Sequence, residues 1–335
     1  MQTPLAAWRS WLGPLADPSP ATMRRLALAG VVANAGIMVT GAAVRLSNSG
    51  LGCANWPDCT RSSLVAAPRA GEPVFHTWIE FGNRTLTGVV ELVAVLVLVA
   101  AWRYRPPGTS QRRNDLVWLA ALQPIGVVLQ AVVGGIVVLT ELDPVWVSVH
   151  FLLSTAVVAA AVTLYVRCTE ATGPAAPLLV RLVGSVVLAA VFVMLAAGTV
   201  VTGTGPLAGA PGVPRYPLHL PAVTQVHSDI GWLLGGLTLV FVLVLRFGGA
   251  SRRAVRLGYV FIGLLGIQGV LGYVQYFTHL PAGVVWVHES LAVVIWVTML
   301  LLWFALWERG TARSQPGTET AQETATALGP IGSHP

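Results

Sequence analysis

The chain has 335 residues, of which 55% are hydrophobic and only 10% are charged, and its formal net charge is +6. Soluble domains carry roughly a quarter charged residues. The composition therefore excludes an ordinary soluble globular protein and predicts an all-α integral membrane protein.

Eight apolar segments are long enough to cross a bilayer core as helices, which takes about 20 residues. They are predicted at 24–44, 79–102, 116–139, 145–166, 179–203, 224–246, 255–277 and 284–307. Eight spans place both chain termini on the same side of the membrane.

The 20 basic residues are all arginine, and most flank the segments on one side. The positive-inside rule makes that side cytoplasmic. We therefore expect a multi-pass protein of the cell membrane, with a cytoplasmic arm at 1–23 and a disordered cytoplasmic tail at 308–335. The positive charge thus reports topology, and no nucleic-acid partner is expected.

Two stretches of the chain resemble each other, VWVSVHF at 145–151 and VVWVHES at 284–290. Aligning them superposes His150 on His288 and Gln130 on Gln268. A second match joins Val-Thr-Gly at 39–41 to Val-Thr-Gly at 201–203, at the ends of the first and fifth segments.

The repeat predicts two tandem four-helix bundles, 24–167 and 179–307, joined by a cytoplasmic linker at 168–178. Because four spans return the chain to the same side, both bundles have one orientation. A pseudo-twofold axis along the membrane normal should relate them.

Three histidines, His150, His227 and His288, are predicted in the first turns of even-numbered helices, at one depth towards the outer face. A lone histidine on an apolar helix is commonly a satisfied core residue. His227 and His288, however, can face each other across the second bundle, which suits axial ligation of a haem iron. Zinc is a weaker alternative, because no further Cys or His completes a tetrahedral site.

The first bundle differs from the second in its ligand set. His150 matches His288, but Asn83 stands at the position of His227. Asparagine is a poor haem ligand, so this bundle offers one strong axial bond. The asymmetry indicates one electron-transfer haem and one reactive or substrate-like haem.

Glu80 precedes Asn83 by three residues, so the two share a helix face. The carboxylate either caps a helix N-terminus or acts as a proton donor or acceptor, and position alone does not decide. Arg84 is expected to pair with Glu80 or with a haem propionate.

The outer loop, 45–78, contains Cys53 and Cys59. An extracytoplasmic loop permits a disulfide, either a structural one or a redox-active one. Cys168, at the inner end of the fourth segment, has no evident partner and is expected to be an ordinary thiol.

The run VTGAAVRLSNSGLGCANWPDC at 39–59, the EFGNR at 80–84 and the histidines of both halves resemble the haem A synthase family. The resemblance covers nearly the whole chain. It implies oxidation of the C8 methyl group of haem O to a formyl group by successive hydroxylations, supplying haem A to terminal oxidases.

The family resemblance also implies residue roles. It assigns His227 and His288 to a haem b cofactor, His150 to the haem O site, Glu80 to catalysis and Cys53 and Cys59 to a loop pair. The family often has E-x-x-H-R where this chain has Glu80 to Arg84 with Asn83. We therefore expect Asn83 to hold a water or hydroxide at the haem O iron.

Two alternatives remain open at this point, a dihaem electron-transfer protein and a haem carrier without chemistry. A transporter fits less well, because no charged residue is expected at mid-membrane and no helix has the Gly/Pro break expected of a substrate site. The expected partners are haem O, haem O synthase, an electron donor and membrane lipid. The small-residue stretch at 126–135 is compatible with a homo-oligomer.

Overall fold

The computed structural model describes residues 13–60, 63–66, 74–169 and 175–307, and its long elements are all helices. Eight helices are long and apolar enough to cross a membrane, which confirms the eight predicted segments. They are α1 (Pro20–Leu46), α2 (Val74–Arg103), α3 (Asn114–Leu139), α4 (Pro144–Arg167), α5 (Leu178–Thr204), α6 (Leu220–Phe247), α7 (Arg252–Phe277) and α8 (Ala282–Ala305). The predicted cytoplasmic tail and most of the predicted N-terminal arm lie outside the described residues.

Some helices begin earlier than the sequence predicted. Helix α2 begins at Val74 and α6 at Leu220. Pro221 fits in the first turn of α6, because the N–H groups of that turn have no partner within the helix. The helices that carry the three histidines begin at Pro144, Leu220 and Ala282. His150, His227 and His288 thus lie about two turns, or roughly 10 Å, into these helices. The prediction that they lie in first turns was wrong.

The helices pack as two rings. In the first half α1 contacts α2, α2 contacts α3, α3 contacts α4, and α4 contacts α1. Helices α5 to α8 close a second ring in the same order, and α1, α4, α5 and α8 form the seam between the halves. Two four-helix units produce this pattern of neighbours.

The α3–α4 and α7–α8 turns have the same backbone conformation. Glu141 and Leu142 have φ of 54° and 62°, while His279 and Leu280 have φ of 63° and 60°. Leu142 N–H donates to the Val137 carbonyl and Leu280 N–H to the Gln275 carbonyl, both at 2.8 Å. These local matches agree with a tandem repeat, and the axis relating the halves stays a prediction.

The largest hydrophobic cluster is centred on the second half and the seam. It includes Val158 of α4, Val187 of α5, Phe241 of α6 and Met299 of α8, all fully buried. Trp296 Nε1 donates to the Thr155 carbonyl across the seam at 3.0 Å. The two halves are therefore packed together through their membrane-spanning surfaces.

Candidate functional site

Each of the three helix histidines packs against a glycine of the preceding helix. The pairs, with the distance from an ideal Cβ on the glycine to the ring Cε1, are Gly134–His150 at 3.3 Å, Gly198–His227 at 3.4 Å and Gly272–His288 at 3.5 Å. A Cβ would be tight against the ring at Gly134 and in ordinary contact with it at Gly198 and Gly272. The three glycines therefore leave room for side-by-side packing of the rings.

The ring nitrogens of these histidines are not used in hydrogen bonds among the described residues. Nδ1 of His150, His227 and His288 is buried and has no partner. Only the backbone carbonyls are engaged, since Gln130 Nε2 donates to His150 O and Gln268 Nε2 to His288 O, both at 3.0 Å. A histidine kept for structure would satisfy its ring nitrogens, so this arrangement favours ligand binding.

The arrangement of the helices suits a haem better than a single metal ion. His227 and His288 lie on α6 and α8, which are not neighbours in the second ring. Among the described residues no group of three or more His, Cys, Asp or Glu side chains could hold a metal ion. A haem iron needs only two axial ligands from opposite helices of a bundle, so the residues present fit this group.

In the first half, Asn83 of α2 contacts α1. Thr40 Oγ1 donates to Asn83 Oδ1 at 2.8 Å. Oδ1 is the atom with which an amide would bind a metal, and here it already accepts a hydrogen bond from Thr40. The role of Thr40 was not predicted, although the Val-Thr-Gly match had already singled out its position.

Glu80 and Arg84 form an ion pair on α2, one turn apart. Arg84 Nη2 and Nε donate to Glu80 Oε1 at 2.6 and 3.0 Å, and Cys53 N–H donates to Glu80 Oε2 at 2.7 Å. The Glu80 residue is only 5% exposed. Of the two predicted partners for Arg84, the structure shows Glu80, and these donors stabilise an ionised carboxylate.

The loop after α1 is fastened to this ion pair. Cys53 and Cys59 form a disulfide, which confirms that prediction. Arg84 also donates to the carbonyls of Cys53 and Asn55, both at 2.8 Å. The disulfide loop and the Glu80 carboxylate therefore hold each other in place.

Two further residues lie outside the ligand set. His76 Nδ1 is hydrogen-bonded to Ser49 Oγ at 2.9 Å, so this ring belongs to the loop contacts. Cys168 is a free thiol, and burial raises its pKa to about 12. It therefore stays protonated at neutral pH and is a poor nucleophile.

Sequence reasoning missed an ion pair between the halves. Arg45 of α1 pairs with Glu289 of α8 and also donates to the Leu207 carbonyl in the α5–α6 connection. Glu289 follows His288 directly, so the pair fixes the turn that carries this ring. The two residues are 244 positions apart, and no local pattern in the sequence indicates their contact.

The expectation that no charged residue lies at mid-membrane was wrong, because it overlooked Glu91. It lies in the middle of α2, its Oε2 is buried, and that atom has no hydrogen-bond partner among the described residues. The sequence contained a signal for this residue, since its carboxyl group lies far from both ends of an apolar segment. Ionisable residues inside a membrane are costly and usually functional.

Known proteins match this chain over most of its length. Residues 24–300 match the family model COX15-CtaA, described as cytochrome oxidase assembly protein. The heme A synthase of Rhodopseudomonas palustris (strain BisA53) is 25% identical over 373 aligned positions, covering 96% of this chain and 97% of the relative.

Two other relatives show more local similarity. The heme A synthase of Geobacillus thermodenitrificans is 32% identical over 110 residues, 32% of this chain and 30% of that protein. That of Lysinibacillus sphaericus (strain C3-41) is 35% identical over 133 residues, 39% of this chain and 40% of that protein. Because the family model spans most of the chain, the protein belongs to the COX15-CtaA family of cytochrome oxidase assembly proteins.

Proposed function

We propose that this protein is a haem A synthase, which oxidises the C8 methyl group of haem O to a formyl group by successive hydroxylations. The observation that carries the proposal is the asymmetry of the two halves. The second half has two histidines, His227 and His288. The first half has Asn83 and His150 at the matching positions, together with a buried carboxylate, Glu80. Similarity to relatives named heme A synthase over nearly the full chain supports it.

The second half is the haem b site in this proposal. His227 and His288 would hold the iron of haem b, and Gly198 and Gly272 make room for their rings. An iron with two imidazole ligands has no open position and mainly transfers electrons. Haem b held by these two histidines would supply electron transfer between an external donor and the first half.

The first half is the haem O site. His150 binds the iron of the substrate, which supplies oxidation chemistry when bound. Asn83 holds a water or hydroxide on the other face through its NH₂ group, since Thr40 engages its oxygen. Glu80 accepts or donates protons near the reacting substituent, and Arg84 holds Glu80 and the loop together.

The proposed topology follows the arginine distribution. The chain is a multi-pass protein of the cell membrane, with both termini in the cytoplasm. The α1–α2 loop then lies outside the cytoplasm, where its disulfide is stable, and the haem sites lie towards the outer face. The two tandem units are 24–167 and 179–307, with the linker at 168–178. Haem O synthase, an electron donor, lipid and further copies of the chain are its proposed partners.

The decisive experiment is haem extraction and chromatography from the protein expressed with and without a haem O synthase. We expect haem A only when haem O is supplied. Protohaem alone in both cases would contradict the proposal and would favour a dihaem electron carrier.

A carrier that holds haem without chemistry is tested by Glu80→Ala in the same assay. A carrier should still bind and release haem O normally. We expect the variant to retain haem but to form haem A at roughly a hundredth of the normal rate, because general acid–base groups contribute about 100- to 10,000-fold. An unchanged rate would remove Glu80 from the catalytic site.

A further inference from the structure

Tyr216, in the connection between α5 and α6, crosses the seam to the start of α4. Its hydroxyl group donates to the Pro144 carbonyl at 3.0 Å and is hydrogen-bonded to Ser148 Oγ at 3.1 Å. Pro144 is the first residue of α4, and Ser148 precedes His150 by two residues. A residue of the second half therefore holds the turn that leads to the histidine of the first half.

The end of α5 keeps Tyr216 in this position. The Tyr216 N–H donates to the Gly203 carbonyl at 3.0 Å. An ideal Cβ on Gly203 would lie 2.6 Å from the Tyr216 ring and 3.0 Å from Pro144 Cβ. Only a glycine at this position lets the ring and the start of α4 approach α5 so closely.

The histidine helix of the second half is fastened to the first half at the matching place. Trp286 stands at the position of Ser148 in the repeat, two residues before the histidine of its helix. Its Nε1 donates to the Val39 carbonyl of α1 at 3.0 Å. Val39 begins the Val-Thr-Gly run of α1, and Gly203 ends the matching run of α5. Each histidine helix is therefore held, two residues before its histidine, by the first helix of the other half.

The two connections use different groups. One is a hydroxyl group supplied by a loop, and the other is an indole N–H that reaches the backbone directly. Gly41, the counterpart of Gly203, has no heavy atom of the described residues within 4 Å of an added Cβ, so nothing packs there as Tyr216 does on Gly203. The same connection between the halves is thus made twice by different chemistry, which favours a role in placing the two histidines.

We propose that Tyr216 and Trp286 are positioning residues, which set His150 and His288 across the seam for their haem irons. The inference rests on the proposed function, which assigns haem O to His150 and haem b to His288. Side chains of a binding site must be held within about 0.5 Å of their working position. A hydrogen bond two residues away limits the rotation of the helix turn, and it therefore limits the direction of the ring.

The first test is Tyr216→Phe, which removes both hydrogen bonds of the hydroxyl group but keeps the ring against Gly203. We expect the purified protein to bind haem O roughly 2- to 10-fold more weakly, the range of a lost hydrogen bond. The optical spectrum of that haem should shift, while the spectrum of haem b stays the same. Ser148→Ala should give the same change to a smaller degree. Tyr259→Phe, at an exposed tyrosine of α7, is the matched control and should alter neither haem.

The second test is Trp286→Phe, which removes the indole N–H and should have the opposite selectivity. We expect a shifted spectrum and reduction potential of haem b, with unchanged haem O binding. Trp118→Phe, at an exposed tryptophan of α3, is its control.

Unchanged haem spectra in Tyr216→Phe and Trp286→Phe would overturn the inference, even if both variants were less stable, because the contacts would then only hold the fold together. Equal changes at both haems in either variant would overturn it as well. A wild type that binds haem b but forms no haem A would overturn the proposed function. The Trp286 variant would then decide the inference on haem b alone.

Discussion

The environment of Asn83 explains how one substitution can separate the roles of two similar half-sites. Histidine at this position would give the first half the ligand set of the second. In this chain the amide oxygen accepts from Thr40 at 2.8 Å, and the remaining NH₂ group is a hydrogen-bond donor with no ability to bind iron. In the proposed haem O site, the first half would thus offer one strong iron ligand, His150.

We predict that Asn83→His converts the substrate site into a second bis-histidine site. Electron paramagnetic resonance of the substrate-loaded wild type should show one low-spin bis-imidazole haem and one haem with a weaker ligand. The variant should show two low-spin haems and little haem A formation, because the second imidazole occupies the open face. Asn83→Ala is the control and should not add a low-spin signal. Two bis-imidazole haems in the wild type would contradict the assignment.

At the scale of elements, the sequence predicted what depends on local composition. The eight helices follow from apolar length, and the Cys53–Cys59 disulfide joins residues six positions apart in one loop. The helix starts were less accurate, because residues such as Leu220 and Pro221 continue a helix beyond its most apolar stretch. The contacts between Thr40 and Asn83 and between Arg45 and Glu289 join separate helices, so only the folded chain reveals them.

The glycine–histidine contacts are a property of helix pairs, and they give a prediction at this scale. Gly272→Val on α7 should displace the His288 ring, since an ideal Cβ already lies 3.5 Å from its Cε1 and a valine methyl extends further. We expect loss of low-spin haem b from the purified protein, measured by its optical spectrum and haem-to-protein ratio. The matched control is Gly263→Val on the same helix, where nothing lies within 4 Å. Equal haem content in both variants would show that the glycine does not position the ring.

For the whole molecule, the seam between the halves determines how the two sites are held relative to each other. Trp286 Nε1 of α8 donates to the Val39 carbonyl of α1 at 3.0 Å, one residue before Thr40. Arg45, farther along α1, pairs with Glu289. The helix that supports Asn83 is therefore joined directly to the helix that carries His288.

The Arg45–Glu289 pair should contribute measurably to stability because it is largely buried, with side chains 16% and 19% exposed. Removing one member of a buried pair leaves an uncompensated charge, which costs about 3 kcal/mol. We expect Arg45→Gln and Glu289→Gln each to lower the free energy of unfolding in detergent by about that amount. The double variant should lose clearly less than the sum, because neither charge is then left alone.

The exposed Arg113–Asp115 pair, with side chains 40% and 43% exposed, provides the control for this cycle. Surface ion pairs contribute about 0 to 1 kcal/mol, so Arg113→Gln and Asp115→Asn should change the free energy of unfolding little, and additively. Strict additivity at Arg45 and Glu289 as well would mean that the two charges do not interact in the folded protein. The halves would then be joined only by apolar packing and backbone hydrogen bonds, and His288 would be positioned by α7 and α8 alone.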